Sequence, residues 1–112
     1  MKLFGKKTEE PIREEFPYEA SLITTDGRQT ILPPGATILG RTHDPDIGLA
    51  EDGEASRRHA VFEVSAAGVR VRDLGSRNGT FVNHEWVSVV WLKDADHVKI
   101  GDTELTFRLR KF

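Results

Sequence analysis

The chain has 112 residues, 38% apolar and 30% charged, and its 16 Lys and Arg against 18 Asp and Glu give a formal net charge of −2. That is enough apolar material for one compact domain and too little for two, and a slightly acidic chain does not draw in a nucleic-acid backbone. With no cysteine there is neither a disulfide framework nor a thiolate zinc site.

Residues 1–16 set Lys6, Lys7, Glu9, Glu10, Arg13, Glu14 and Glu15 among scattered apolar positions, the composition of a flexible tail. The opening residues run into Thr8-Glu9-Glu10-Pro11 with no apolar export segment, so a cytoplasmic protein without membrane contact is expected. The globular domain is assigned to residues 17–112. From there apolar positions alternate with polar ones in short runs punctuated by Gly, Pro, Asp and Asn. Residues 19–24 form the first run, and Asp26-Gly27 turns it into residues 28–32, which Pro33-Pro34-Gly35 ends. Residues 36–41 follow, then a polar loop over 42–58, in which residues 46–49 are expected to form a very short strand.

Residues 60–64 and 69–73 read as a hairpin turned at Ala66-Ala67-Gly68, with Val69 and Val71 inward and Arg70 and Arg72 outward. Strands over 80–83, 86–90, 97–100 and 103–109 complete the set, and no amphipathic helix of useful length is found. Many short antiparallel strands predict an all-β fold, a sandwich of two antiparallel sheets over one core. Function then belongs to loops at one apex.

Three loops carry unusual chemistry. Gly40 permits a bend or a close approach at a strand end, and Arg41 sets a rigid fork of donors at the sheet edge. Ser56-Arg57-Arg58-His59 places a hydroxyl and two guanidiniums directly before a strand. His59, at the entrance to that strand and without partners for catalysis or zinc nearby, reads as a buried hydrogen-bonding strut. Asn78-Gly79 is a tight-turn pair and Gly75 a second flexible point, in a turn that presents Ser76, Arg77 and Asn78 outward.

Thr37-Ile38-Leu39-Gly40-Arg41, Ala55-Ser56-Arg57-Arg58-His59-Ala60 and Asp73-Leu74-Gly75-Ser76-Arg77-Asn78-Gly79-Thr80-Phe81-Val82-Asn83, in this order, resemble the forkhead-associated (FHA) domain family over roughly residues 19–110. The resemblance implies an eleven-stranded β-sandwich that reads phosphothreonine peptides at one apex. It makes Arg41 the arginine and Ser56 the serine that contact phosphate, with Arg57 beside them. Arg77 occupies a variable position within reach of phosphate, and Asn78 matches the asparagine that fixes the peptide main chain. Gly40, His59 and Gly79 match loop-shaping positions. His84 and Ala95 depart from the pattern, standing where the family commonly has glycine, which bears on turn geometry away from the apex.

The expected function is phosphorylation-dependent protein–protein interaction, with a phosphothreonine protein as partner and a Ser/Thr kinase supplying the mark. The alternative is a phosphate-independent scaffold on the same fold. An enzyme is not expected: His43, Asp44, Asp46, His84, Asp94, Asp96 and His97 are scattered, without a motif for catalysis, metal or cofactor. The acidic loop Thr42-His43-Asp44-Pro45-Asp46 is a candidate for shaping peptide preference. The tail is read as solubilising; the competing expectation is that phosphorylated Thr8 folds back onto the domain's own apex.

Overall fold

The computed structural model describes residues 16–42 and 47–112. The tail to residue 15, with Thr8, and the acidic residues 43–46 lie outside the described residues. Ten strands are described: β1 (Tyr18–Thr24), β2 (Gln29–Leu32), β3 (Gly35–Leu39), β4 (Ala60–Ser65), β5 (Gly68–Asp73), β6 (Thr80–Val82), β7 (Glu85–Val87), β8 (Val89–Trp91), β9 (His97–Ile100) and β10 (Thr103–Lys111). The family resemblance implies eleven, and residues 1–15 and 43–46 stand outside this count. All pairings are antiparallel. One sheet runs β2-β1-β10-β9-β6-β7 and the other β3-β4-β5-β8. No helix among the described residues is long and apolar enough to cross a membrane.

The alternation explains the two layers. Leu22, Leu105, Phe107, Val98, Ile100 and Val82 point inward from the larger sheet, and Leu39, Ala60, Phe62, Val64, Val69 and Val71 from the smaller one. Phe62 and Phe107 are fully buried, and side chains of this size supply most of the apolar burial that holds two sheets together. Phe16 packs its ring against Tyr18 on the border of this core.

Three local expectations are corrected. Of the short strand expected at 46–49, residue 46 lies outside the described residues, and 47–49 enter no ladder: Ile47 and Leu49 insert into the core and a 3-10 turn runs over Leu49–Glu51. The strand at 86–90 divides at Ser88: β7 pairs with β6 in one sheet and β8 with β5 in the other. No Gly, Pro or Asn interrupts Trp86-Val87-Ser88-Val89-Val90, but the chain crosses between sheets, and the Ser88 carbonyl accepts the Asp73 N–H at 2.8 Å. The strand over 28–32 ends at Leu32, before Pro33, as expected, but the strand expected at 36–41 opens at Gly35, at φ 103°, and ends at Leu39, leaving Gly40 and Arg41 free of the ladder.

The registers define the ends of the sandwich. Leu39, Ala60 and Asp73 align across the smaller sheet, and Thr80 aligns with Ile100 in the larger. The loops at 40–42, 52–59 and 74–79 and the turn at 101–102 therefore emerge at one apex. The 83–84 and 92–96 turns lie at the other end.

Candidate phosphate-binding apex

Gly40 brings the first two loops together. A Cβ there would lie 2.0 Å from the Arg57 carbonyl oxygen and 2.9 Å from that of Ser56, so only glycine lets the end of β3 lie against the 56–57 backbone. Arg41 then donates its backbone N–H to the Ser56 carbonyl at 3.1 Å and its Nε–H to the Ala55 carbonyl at 2.7 Å. This second bond fixes the guanidinium plane and leaves its terminal donors for another acceptor. Ala55, Leu49 and Ile47 are buried, and they seat the long polar loop that carries Ser56 on the core.

His59 connects the second loop to the third. It is fully buried; its Nδ1 accepts the Ser56 N–H at 3.0 Å and its Nε2 lies 2.8 Å from the Gly79 carbonyl. Since the amide can only donate and the carbonyl only accept, the proton sits on Nε2. Its backbone donates to the Leu39 carbonyl and accepts from Leu74 N–H, both at 2.9 Å. One residue thus ties β3, the serine loop and both limbs of the third turn.

Asp73 shapes that turn from within. One carboxylate oxygen accepts the Gly75 and Ser76 N–H groups, both at 3.0 Å, and the other the hydroxyls of Ser76 at 2.6 Å and Thr80 at 2.8 Å. Burial pushes the Asp73 carboxyl up, but these four donors together hold it below the ordinary carboxylate range. Ser76 was expected to face outward; instead its Oγ also accepts the Gly79 N–H at 2.9 Å, so its hydroxyl is an internal brace. Gly79 itself sits at φ 92°, where a Cβ would meet the Trp86 indole at 2.9 Å.

Asp52 plays the same part at the neighbouring turn, accepting Glu54 N–H at 2.9 Å, Asp102 N–H at 2.8 Å and the Thr103 hydroxyl at 2.6 Å. Burial raises its carboxyl and the Thr103 hydroxyl with the backbone N–H groups outweighs that, so the net shift is downward. Neither carboxylate was singled out as a site residue from the sequence. The available signals were Asp before Gly at 52–53 and Asp73 placed two and three residues before Gly75 and Ser76, the spacing of side-chain-capped turns.

These braces bring the expected residues together. The Ser56 hydroxyl accepts the Arg77 N–H at 3.0 Å, Asn78 Nδ2 donates to the Glu54 carbonyl at 2.8 Å and to its carboxylate at 3.0 Å, and Arg41 is bound to the residue between Glu54 and Ser56. Arg57 enters through its backbone: its carbonyl lies against Gly40 and accepts the Thr42 hydroxyl at 3.2 Å, while its side chain is exposed. With its oxygen occupied by the Arg77 amide, Ser56 keeps its O–H proton for an outside acceptor. Arg41, Ser56 and Arg77 thus form a donor-rich corner beside an asparagine whose Oδ1 has no partner among the described residues.

The chain is similar to known proteins. The regulatory protein EmbR of Mycobacterium tuberculosis is 43% identical over 84 residues, 74% of this chain and 21% of EmbR, so the chain spans about a fifth of that relative. A structure solved in work on phosphothreonine-dependent FHA domain interactions superposes with a TM-score of 0.77 at 32% identity, covering 84% of this chain and 99% of the other. M. tuberculosis EmbR in complex with a low-affinity phosphopeptide superposes at 0.73 with 39% identity, covering 84% of this chain and 25% of that one. The model of the FHA domain matches residues 37–101, a span that holds all three loops from Gly40 to Gly79, and on that match the chain belongs to the FHA domain family.

Proposed function

We propose that the apex binds phosphothreonine within a partner protein, making the chain a phosphorylation-dependent interaction module. The observation that carries the reading is the donor set that Ala55 and Ser56 organise: the Arg41 fork held by its Nε, the Ser56 O–H, and Arg77 anchored by its backbone to the same hydroxyl. A phosphothreonine brings about −1.5 to −2 charges and three strong acceptor oxygens, and charge-assisted bonds to preplaced guanidiniums are the strongest interactions such a corner can offer. Unphosphorylated threonine supplies none of these. Asn78 Oδ1 then accepts a main-chain N–H of the bound segment, fixing its direction across the loops. The superposed EmbR complex holds a phosphopeptide, in keeping with this chemistry.

The reading as a binding module rather than an enzyme rests on how the polar residues are used. Asp94 accepts the Leu109 N–H at 2.9 Å and pairs with Arg108, Asp96 accepts the Lys93 N–H at 2.7 Å and an Asn83 amide bond, and His97 bonds Glu104. In a cell, a Ser/Thr kinase would write the mark that this apex reads.

Isothermal titration with a phosphothreonine peptide and its unphosphorylated twin tests the reading. Binding should require the phosphate, and Arg41→Ala or Ser56→Ala should weaken it about tenfold to a hundredfold, the scale of a lost hydrogen bond to a charged group. Unchanged affinity in both folded variants, or equal binding of the two peptides, would overturn it.

A further inference from the structure

Two features next to the phosphate corner are unexplained by phosphate recognition. The first is the Glu54 carboxylate, which leans on the Asn78 amide at the edge of a cluster otherwise built from arginines. No Lys or Arg pairs with it among the described residues. The second is Trp86, which is 75% exposed yet held in place, its indole packed on the Cα of Gly79 and cross-strand from Phe81. Asn78 and Gly79 are consecutive, so a carboxylate and an open indole flank two neighbouring residues of one turn.

The other exposed tryptophan shows what such a face takes. Trp91 carries the Arg70 guanidinium 5.3 Å from its ring centre, and Arg70 in turn donates to the Glu63 carboxylate at 2.9 Å. That is a cation between a carboxylate and an aromatic ring, satisfied within the chain. At Trp86 and Glu54 the ring and the carboxylate are present, and no cation of the described residues lies over the ring. We infer that Glu54 and Trp86 form a subsite for a cationic side chain, arginine or lysine, of the same segment whose phosphothreonine occupies the corner. The inference rests on the phosphothreonine reading above. Its ligand class is narrower: a phosphothreonine segment with a basic residue close by, anionic at one point and cationic at the next.

The spacing follows from the chain. Arg77, whose amide marks the Ser56 hydroxyl, and Gly79, which carries the indole, are two residues apart and so at most about 7 Å between Cα atoms. Allowing for an extended side chain, the basic residue belongs within about four positions of the phosphothreonine. Glu54 and Trp86 act as specificity-determining residues, selecting which phosphorylated segments stay bound.

The test is titration of phosphothreonine peptides in an alanine background, with one arginine or one norleucine moved through each position up to four residues on either side. At one position arginine should bind about fivefold tighter than norleucine, the sum of an exposed ion pair and a cation–π contact. Glu54→Gln and Trp86→Ala should each bring that ratio towards one, whatever either does to the affinity both peptides share, and Glu54→Lys should invert the preference in favour of a glutamate peptide. A ratio near one at every position, or one that survives both variants, would overturn the subsite with phosphate binding intact. Tighter binding of norleucine would make the surface apolar and overturn its cationic character. If the wild type binds no peptide in a phosphate-dependent way, with Arg41→Ala behaving like the wild type, the phosphothreonine reading fails and the subsite falls with it.

Discussion

The apex and the opposite end of the sandwich are built with the same tool and to different tolerances. At both ends carboxylate or amide side chains staple turns to the backbone: Asp73 and Asp52 at the apex, Asn83, Asp94 and Asp96 at the other end. The difference lies in the residues that take left-handed backbone. In the apex turns they are Gly75, Gly79 and Gly101, at φ 75°, 92° and 63°. In the distal turns at 83–84 and 92–96 they are Asn83, His84 and Ala95, at φ 50°, 73° and 75°, while Gly35 and Gly68 take the same half of the backbone map elsewhere at that end. A Cβ at Gly79 would strike Trp86, and one at Gly101 would lie 2.7 Å from both the Asp52 carboxylate and the Ala55 amide. The distal positions have room, since His84 and Ala95 project into solvent. Close approach at Gly79 and Gly101 makes glycine obligatory there, where the 83–84 and 92–96 turns accept strain, and close approach is what concentrates donors on one ligand.

The sharpest way to break this comparison is at the His59 hub. His59→Ala leaves the Ser56 amide and the Gly79 carbonyl unpaired in a buried space, each worth about 1–3 kcal/mol, and opens a cavity besides. A loss of about 3–5 kcal/mol is expected from urea titration, against total stabilities of about 5–15 kcal/mol for domains of this kind. The distal counterpart is Asn83, whose Oδ1 accepts the His97 N–H at 2.9 Å and whose amide donates to Asp96. Asn83→Ala should lose only about 1 kcal/mol, because Asn83 is exposed and water can replace it at the His97 N–H, while Asp96 keeps its bond from the Lys93 N–H. Equal losses at the two positions would remove the distinction between the ends.

Acid probes the same contrast with a smaller effect. Asp52 and Asp73 are both held below the ordinary carboxylate range in the folded chain, so each stabilises the fold fully above its unfolded value of about 3.9. That stabilisation is lost as pH falls below about 4 and through the depressed folded values. Asp94, at the distal end, is also held down, first by the Leu109 N–H and despite some burial, but it stands in solvent that screens it. Asp73→Asn should therefore cost about 2 kcal/mol at neutral pH, the scale of a hydrogen bond to a charged acceptor, and flatten the acid limb of a stability–pH profile. Asp94→Asn should leave that limb nearly unchanged. An acid limb that Asp94 rather than Asp73 controls would place the sensitive carboxylates at the wrong end.

The fold was legible because two-residue alternation maps directly onto two faces: Val69 and Val71 point inward and Arg70 and Arg72 outward, as the pattern requires. Alternation has no term for which sheet a strand joins, so residues 86–90 read as one strand although Ser88 divides them. Nor could it separate a strand at residues 46–49 from a loop that leads into a 3-10 turn, with Ile47 and Leu49 as core pegs. At the apex, the three segments with Arg41, Ser56 and Asn78 were legible as motifs. The braces were not, because the roles of Asp52 and Glu54 depend on Asp102, Thr103 and Asn78, residues 24 to 51 positions away along the chain. Ser76 was misjudged for a related reason: a hydroxyl in a turn can face either way until the position of Asp73 is known.

The smallest expected effect sharpens the comparison from the distal side. Ala95 keeps its backbone bond to the Phe107 carbonyl at 2.8 Å while holding a φ that costs an L-residue about 1–2 kcal/mol. Ala95→Gly relieves that strain, and the extra freedom of glycine in the unfolded chain offsets about 0.5–1 kcal/mol of the gain. A net stabilisation of about 0.5–1 kcal/mol follows, read as a rise of a few degrees in Tm. His84→Gly should gain less, since it also gives up the stack on His97, whose ring centre lies 5.7 Å away. The mirror experiment at the apex has the opposite sign: Gly79→Ala adds the same left-handed strain and drives a methyl into the Trp86 indole. If Ala95→Gly destabilised the domain, the distal turn would be depending on its side chain rather than tolerating it, and room for a Cβ could no longer explain why position 79 is glycine and position 95 is not.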